Sequence, residues 1–226
     1  MTPAAGPGTR GSGASDSGAR DSGAVRAVLW DADGVLQHLP EGWEASMRPV
    51  VGHLLDDVEG FLAEAFAAER PALTGDARWV EVLPGLLEKW GIADSYDDAM
   101  QVWLTIEPVA ETRALVEALR EAGVACYLAT NQDEHRGRHM HETLGYGDLF
   151  DDCFYSYELG VAKPDPAYFA AVLERLGLPG DQVLFVDDSA ANVEAARSVG
   201  LRAECWHVHH GVAALHEHLR RHALPV

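Results

Sequence analysis

The sequence predicts an α/β fold: a parallel sheet covered by helices on both faces, with a small α-helical segment inserted after the first strand. Three observations predict it. From residue 25 onward, short apolar runs take turns with amphipathic stretches of helical period. The runs are continuously apolar, as strands buried on both faces are. The alternation breaks once, over residues 38–107, where apolar positions recur at helical spacing and no convincing strand appears. Such a sheet is Rossmann-like, doubly wound and open, and takes its ligands at the C-terminal ends of its strands.

The elements follow in order. Residues 1–24 are rich in Gly, Ser and Ala with almost nothing to bury, and are expected to form a disordered tail. VRAVLW (25–30) is the first strand. In 38–107, Phe61, Leu62, Ala65 and Phe66 form one apolar face. Val80, Leu83, Leu86, Leu87 and Trp90 form another, and Met100, Trp103 and Leu104 a third, so about four helices are expected. Pro84 is expected to start or kink a helix rather than sit within one. Residues 110–122 place Leu115, Val116 and Leu119 on one helical face, and VACYLAT (124–130) is a strand. A helix over 133–145, a short strand over 152–156 and an amphipathic helix over 165–177 come next. QVLFVDD (182–188) is a buried strand, followed by a helix (189–200), a last strand (201–208) and a last helix (212–222). The sheet domain therefore comprises 25–37 and 108–226, and the helical insertion 38–107.

Composition narrows the function. Seventeen basic against 36 acidic side chains give a formal net charge of −19, which repels nucleic acid and anionic membrane surfaces. No apolar stretch approaches the roughly 20 residues of a membrane span. Cys126, Cys153 and Cys205 are dispersed and odd in number, as expected of reduced thiols in a cytoplasmic protein.

Polar groups fall at matching places along the chain. Asp31 and Asp33 follow the first strand in VLWDADGVL, and Thr130 and Asn131 end YLATN. Lys163 sits in LGVAKPDP, and Asp187 and Asp188 end VLFVDD. If these strands are neighbours, several carboxylates converge on one crevice with a single lysine. That crowding is costly without a cation, and oxygen ligands with waters suit Mg²⁺.

The order DADGVL, TN, K-P, VDDSxxN resembles the haloacid dehalogenase (HAD) superfamily of aspartate-nucleophile hydrolases, over about residues 25–220. The helical insertion resembles that superfamily's cap after its first motif. LGVAKPDPAYF and VLFVDDSAANVEAARSVG are most similar to the sugar-1-phosphate phosphatases and the N-terminal phosphatase domain of soluble epoxide hydrolase. The resemblance implies a Mg²⁺-dependent hydrolase of a small phosphomonoester, with a sugar phosphate favoured. Asp31 would be the nucleophile and Asp33 the acid and base. Thr130, Asn131 and Lys163 would bind the phosphoryl group. Asp31, the Asp33 carbonyl and Asp188 would hold the metal, with Asp187 orienting Lys163 or a metal-bound water. Asn192 stands where the family often has a second acid. The family's dehalogenases lack an acid at the position of Asp33, so phosphoryl transfer is favoured over carbon–halogen hydrolysis. A phosphosugar mutase and a non-catalytic binding module are the competing expectations. The stretch EHRGRHMH (134–141) and the helix bearing His218 and His222 are expected to be solvated faces. Trp43, Trp79, Trp90 and Trp103 are expected in a core rather than a ligand cage, with a site-facing Trp43 near the hinge as the alternative.

Overall fold

A computed structural model describes residues 23–226, so residues 1–22 of the expected tail lie outside the described residues. In chain order the strands are β1 (Ala27–Trp30), β2 (Gln37–His38), β3 (Glu107–Pro108), β4 (Ala125–Thr130), β5 (Asp152–Tyr155), β6 (Val183–Asp187) and β7 (Arg202–Cys205). The helices are α1 (Gly42–Val51), α2 (Val58–Glu69), α3 (Trp79–Lys89), α4 (Tyr96–Trp103), α5 (Ala110–Glu121), α6 (Glu134–Arg138), α7 (Tyr146–Leu149), α8 (Ser156–Leu159), α9 (Pro166–Leu176), α10 (Ala190–Ser198) and α11 (Val212–Arg221).

Five strands form one parallel sheet in the order β5-β4-β1-β6-β7. The central strand β1 is wholly buried. Its side chains alternate between faces, as any strand's must. Val28 and Trp30 enter a core with Leu115, Val116 and Leu119 of α5 and Leu215 and Leu219 of α11. Ala27 and Leu29 enter the opposite core with Tyr168, Phe169 and Val172 of α9 and Val193 and Ala196 of α10. Both faces are therefore covered, and the polar ends of β1, β4 and β6 open on the same edge.

Helices α1 to α4 build a third core around Met47, Phe61, Trp79, Leu83, Leu87 and Trp103. The chain enters and leaves them through β2 and β3, which pair antiparallel with Gln37 opposite Pro108 and His38 opposite Glu107. The expectation of no strand over 38–107 therefore fails at both ends. Two chains that pass side by side pair their exposed backbone groups, and Val109 N–H extends the pairing to the Leu36 carbonyl at 2.8 Å. Pro84 is a second correction, because it lies inside α3. Its face of the helix is exposed, so water can satisfy the carbonyl it leaves unpaired, while Trp79, Leu83, Leu86 and Leu87 bury the other face. Among the described residues no helix is long and apolar enough to cross a membrane. The three cysteines are free thiols, with Cys126 and Cys153 buried and Cys205 exposed.

Candidate active site

Asp31 continues β1, its N–H donating to the Val186 carbonyl of β6 at 2.9 Å. The chain then turns at once: the Ala32 carbonyl accepts from the N–H groups of Val35, Leu36 and Gln37 at 3.1, 2.8 and 3.0 Å. Gly34 makes the turn with φ of 79°, and a Cβ there would stand 2.5 Å from Asp188 Oδ2. Glycine is required twice over, for the left-handed backbone and for the approach of a carboxylate.

Lys163 closes the base of the crevice. Its Nζ donates to Asp31 Oδ1 at 2.7 Å, to Asp187 Oδ2 at 2.7 Å and to the Ala129 carbonyl at 2.9 Å. All three lysine protons are thus placed. Asp187 is fully buried and also accepts from Ser189 N–H at 2.8 Å and, through both oxygens, from Asn192 Nδ2 at 3.0 Å. One oxygen each of Asp31, Asp187 and Asp188 lies within 4.8 Å of the others, against the single ammonium. Burial pushes Asp31 above the ordinary carboxylate range and Asp187 adds repulsion, while Lys163 pulls it back. Burial, reinforced by Asp187, likewise raises Asp188. Burial alone would lower Lys163, but Asp31 and Asp187 outweigh it and raise it.

Asp33 lies apart from this cluster. Arg136 NH2 and Gln37 Nε2 donate to its Oδ1 at 3.0 Å, and Arg136 NH1 and Gln132 Nε2 to its Oδ2 at 2.9 and 2.8 Å. Desolvation would raise its pKa, but the Arg136 charge and these hydrogen bonds outweigh it and hold the pKa at about 2. The Asp33 carboxylate is thus turned away from the carboxylate cluster, whose three members are Asp31, Asp187 and Asp188. Asn131 reaches the cavity beside Thr130. Its amide donates to the Lys163 carbonyl at 2.8 Å and accepts from Lys163 N–H at 2.9 Å, so it fixes the lysine loop. Thr130 Oγ1 accepts from Gln132 Nε2 at 3.0 Å, which leaves the hydroxyl proton free to donate.

These groups line a cavity of about 780 Å³. Asp31, Asp33, Thr130, Asn131, Lys163, Asp188 and Asn192 all reach it. The wall opposite comes from Leu39 to Trp43 of the helical segment, and His207 and His209 sit at the rim. Gln132, Arg136 and Gln37 are the residues that sequence reasoning missed. The stretch holding Arg136 had been expected on a solvated face, yet Arg136 is 5% exposed and Met140 is fully buried. The signal was local: Asp133 caps α6, accepting from the N–H groups of His135 and Arg136 at 2.8 and 3.3 Å. That cap starts the helix directly beyond Thr130 and Asn131, so its first turn must lie beside the site.

Comparison with known proteins finds hydrolases and phosphatases. A phosphatase of Mycobacterium tuberculosis is 30% identical over 201 residues, 80% of this chain and 86% of that one. The phosphoglycolate phosphatase of Rhodospirillum rubrum is 30% identical over 191 residues, 78% of this chain and 77% of that one. The chain spans about half (49%) of the sesquiterpene phosphatase astK of Aspergillus oryzae, at 37% identity over 99 residues, 42% of this chain. Among solved structures, a HAD family enzyme of Bacteroides thetaiotaomicron in complex with magnesium and inorganic phosphate superposes with a TM-score of 0.67, at 25% identity over 80% of this chain and 93% of that one. The family model of the haloacid dehalogenase-like hydrolases matches residues 25–200, and the chain belongs to that family.

Proposed function

We propose that this hydrolase cleaves a small phosphomonoester, a sugar phosphate by preference, through an aspartyl-phosphate on Asp31 and with Mg²⁺ bound. The observation that carries this is the carboxylate cluster: three acids within 4.8 Å and one ammonium at the ligand-binding edge of the sheet. The donor set fits the ion. All three groups offer hard oxygens, and no side-chain donor among the described residues reaches the Asp188 carboxylate. Asp31 and Asp188 would hold Mg²⁺ together with the Asp33 carbonyl, and the bound ion would supply Lewis-acid stabilisation of the phosphoryl charge.

The chain's own residues do the rest. An Asp31 oxygen attacks phosphorus, and the ester P–O bond breaks with its electron pair on the alcohol oxygen. Asp33, after leaving the Arg136 fork and taking a proton from solvent, gives that proton to the oxygen, then takes one from the water that attacks the aspartyl-phosphate. Lys163 Nζ holds Asp31 by one oxygen and balances charge on the phosphoryl group, while Asp187 and Asn192 keep the ammonium in place. Thr130 donates its hydroxyl to a phosphoryl oxygen. The helical segment acts as a cap over the strand ends and chooses the leaving group. A cavity of about 780 Å³ exceeds what a phosphate needs, and His38, Glu41, His207 and His209 along it suit a hydroxylated leaving group. The relatives named for phosphoglycolate and for a sesquiterpene phosphate support phosphatase chemistry with differing leaving groups.

The test is a panel of sugar monophosphates, phosphoglycolate, nucleotides and phosphopeptides, assayed with Mg²⁺ and with EDTA. At least one sugar monophosphate is expected to show the highest kcat/KM, and EDTA to abolish turnover until Mg²⁺ is restored. Full activity in EDTA refutes the metal role. A preference for phosphopeptides or nucleotides refutes the substrate class.

A further inference from the structure

The Arg136 guanidinium faces two ways. Its NH1 and NH2 close a fork on Asp33 at 2.9 and 3.0 Å. Its Nε donates to the Trp103 carbonyl at 3.0 Å, and its carbon lies 5.7 Å from the centre of the Trp43 ring. Trp103 ends α4 and Trp43 opens α1, both in the helical segment, whereas Arg136 itself belongs to α6 beside the sheet. We propose that Arg136 is a positioning residue: it holds Asp33 in a docked orientation and makes the release of Asp33 depend on where the helical segment sits. This rests on the assignment of Asp33 as the acid and base.

The geometry points there by counting acceptor sites. A carboxylate offers about four lone-pair sites. Each Asp33 oxygen already accepts two hydrogen bonds, from Arg136 and Gln37 on one side and from Arg136 and Gln132 on the other. In this orientation neither oxygen is left to carry a proton to an ester. Yet the Asp33 side chain is 46% exposed at the cavity it lines, so rotation about χ1 disturbs no core. Leaving the fork forfeits two charge-assisted hydrogen bonds, so something must loosen it. The substrate can do so, because Leu39 to Trp43 form the wall it touches. Displacing that wall withdraws the Trp103 carbonyl and the Trp43 ring from Arg136, and outside Asp33 the guanidinium then keeps only its hydrogen bond to Gln132 Oε1 at 2.8 Å, so the fork is loosened.

Leaving-group dependence tests this. In the first half-reaction the Asp31 oxygen bonds to phosphorus, the ester bond breaks, and the proton passes from Asp33 to the departing oxygen. A p-nitrophenolate leaves without that proton and an alkoxide does not. Since kcat/KM covers this step, the ratio of kcat/KM for p-nitrophenyl phosphate to that for an alkyl phosphate reports whether the acid is in place. The ratio is independent of the folded fraction of a preparation, so it remains valid for partly unfolded variants. Arg136→Lys and Arg136→Gln are each expected to lower kcat/KM about tenfold for the alkyl ester and less than about threefold for the aryl ester. Asp33→Asn should show the same bias more strongly, and the Asp33→Asn/Arg136→Lys pair should be no worse than Asp33→Asn alone. Trp43→Leu should shift the ratio with Arg136 present and leave it unmoved in Arg136→Lys. Equal losses on both esters in the Arg136 variants, with the Asp33→Asn bias intact, overturn the inference alone. An equal Trp43 shift in both backgrounds overturns its link to the helical segment. An Asp33→Asn variant without bias overturns the acid assignment and this inference with it.

Discussion

The two sides of the cavity are held in place by different forces. On the sheet side, the groups sit at strand ends and are fixed by charge: Lys163 bridges Asp31 and Asp187 at 2.7 Å each, with side-chain exposures of 2%, 10% and 0%. On the helical side, aromatic rings do the holding. Trp103 packs 4.7 Å from both Trp43 and Trp79, and Trp43 meets Phe66 edge-on at 5.4 Å. Charge at the strand ends is set by distances of tenths of an ångström and by register, so the sheet side tolerates little exchange. Ring packing accepts neighbours of similar volume, so away from the contacts of Trp43 and Trp103 with Arg136 the helical side tolerates exchange. On the proposed function, the sheet side carries the reaction and the helical side the choice of substrate.

Substitutions can break that division or sharpen it. The largest effect is expected at Asp31. Asp31→Asn should cut turnover of any phosphoester by about a thousandfold or more, because no other group can form the covalent intermediate. Its melting temperature should stay close to the parent's, since the side chain is nearly isosteric. Parent-rate hydrolysis of p-nitrophenyl phosphate by that variant would end the assignment.

Lys163→Met comes next and acts on stability as well as rate. It leaves Asp31 and Asp187 buried without their ammonium, which should cost about 3–5 kcal/mol in urea unfolding. Added Mg²⁺ should recover part of the loss; no loss at all would mean that charge does not hold this side. Gly34→Ala should cost about 1–2 kcal/mol for the left-handed backbone. It should also weaken Mg²⁺ activation, because the new Cβ displaces Asp188. Unchanged Mg²⁺ dependence would remove Asp188 from the metal site.

The smallest effect belongs to the helical side and depends on pH. Glu69 ends α2, and Trp103 Nε1 donates to its Oε1 at 3.0 Å. Burial pushes its carboxyl up to about 7 despite the Trp103 hydrogen bond. The fold therefore favours the protonated acid. Its contribution to stability is present below about 4.5 and is lost as pH rises through about 7. Glu69→Gln has no proton to lose, so its melting temperature relative to the parent should climb between pH 5 and pH 8. A constant difference across that range would show that Glu69 is ionised throughout.

The sheet side was legible in the sequence and the contacts of the helical side were not. Parallel strands put their C-terminal residues on one edge whatever fills the loops, so Asp31, Thr130, Asp187 and Asp188 could be placed together from their positions, and Lys163 from the loop that the family resemblance assigns to it. Helical period, by contrast, gives the buried face of each helix but not which helix it meets. Arg136 shows the limit. In EHRGRHMH it stands among charged and polar neighbours; the Asp133 cap and Gln132 place it locally, but its pairing with the distant Asp33, Trp43 and Trp103 could not be read. Asn131 and Asp33 show another: their positions were readable, but rotamers depend on donors from elsewhere in the chain. Pro84 was misread because the freed carbonyl matters only when buried, and there it faces solvent.

The ribbon of β2 and β3 has a consequence for how such a protein can change. The entire helical segment leaves the chain at His38 and returns at Glu107, and those two residues are partners across the ribbon. Its ends are fixed a few ångströms apart by the host, independently of what lies between them. The entropy of closing such a loop grows only with the logarithm of its length. A longer, shorter or unrelated bundle could be spliced between the same two residues without shifting β1 or β4. Duplication and recombination could therefore exchange the helical segment while leaving Asp31, Lys163, Asp187 and Asp188 in place, and only the Trp43 and Trp103 contacts of Arg136 would have to be rebuilt.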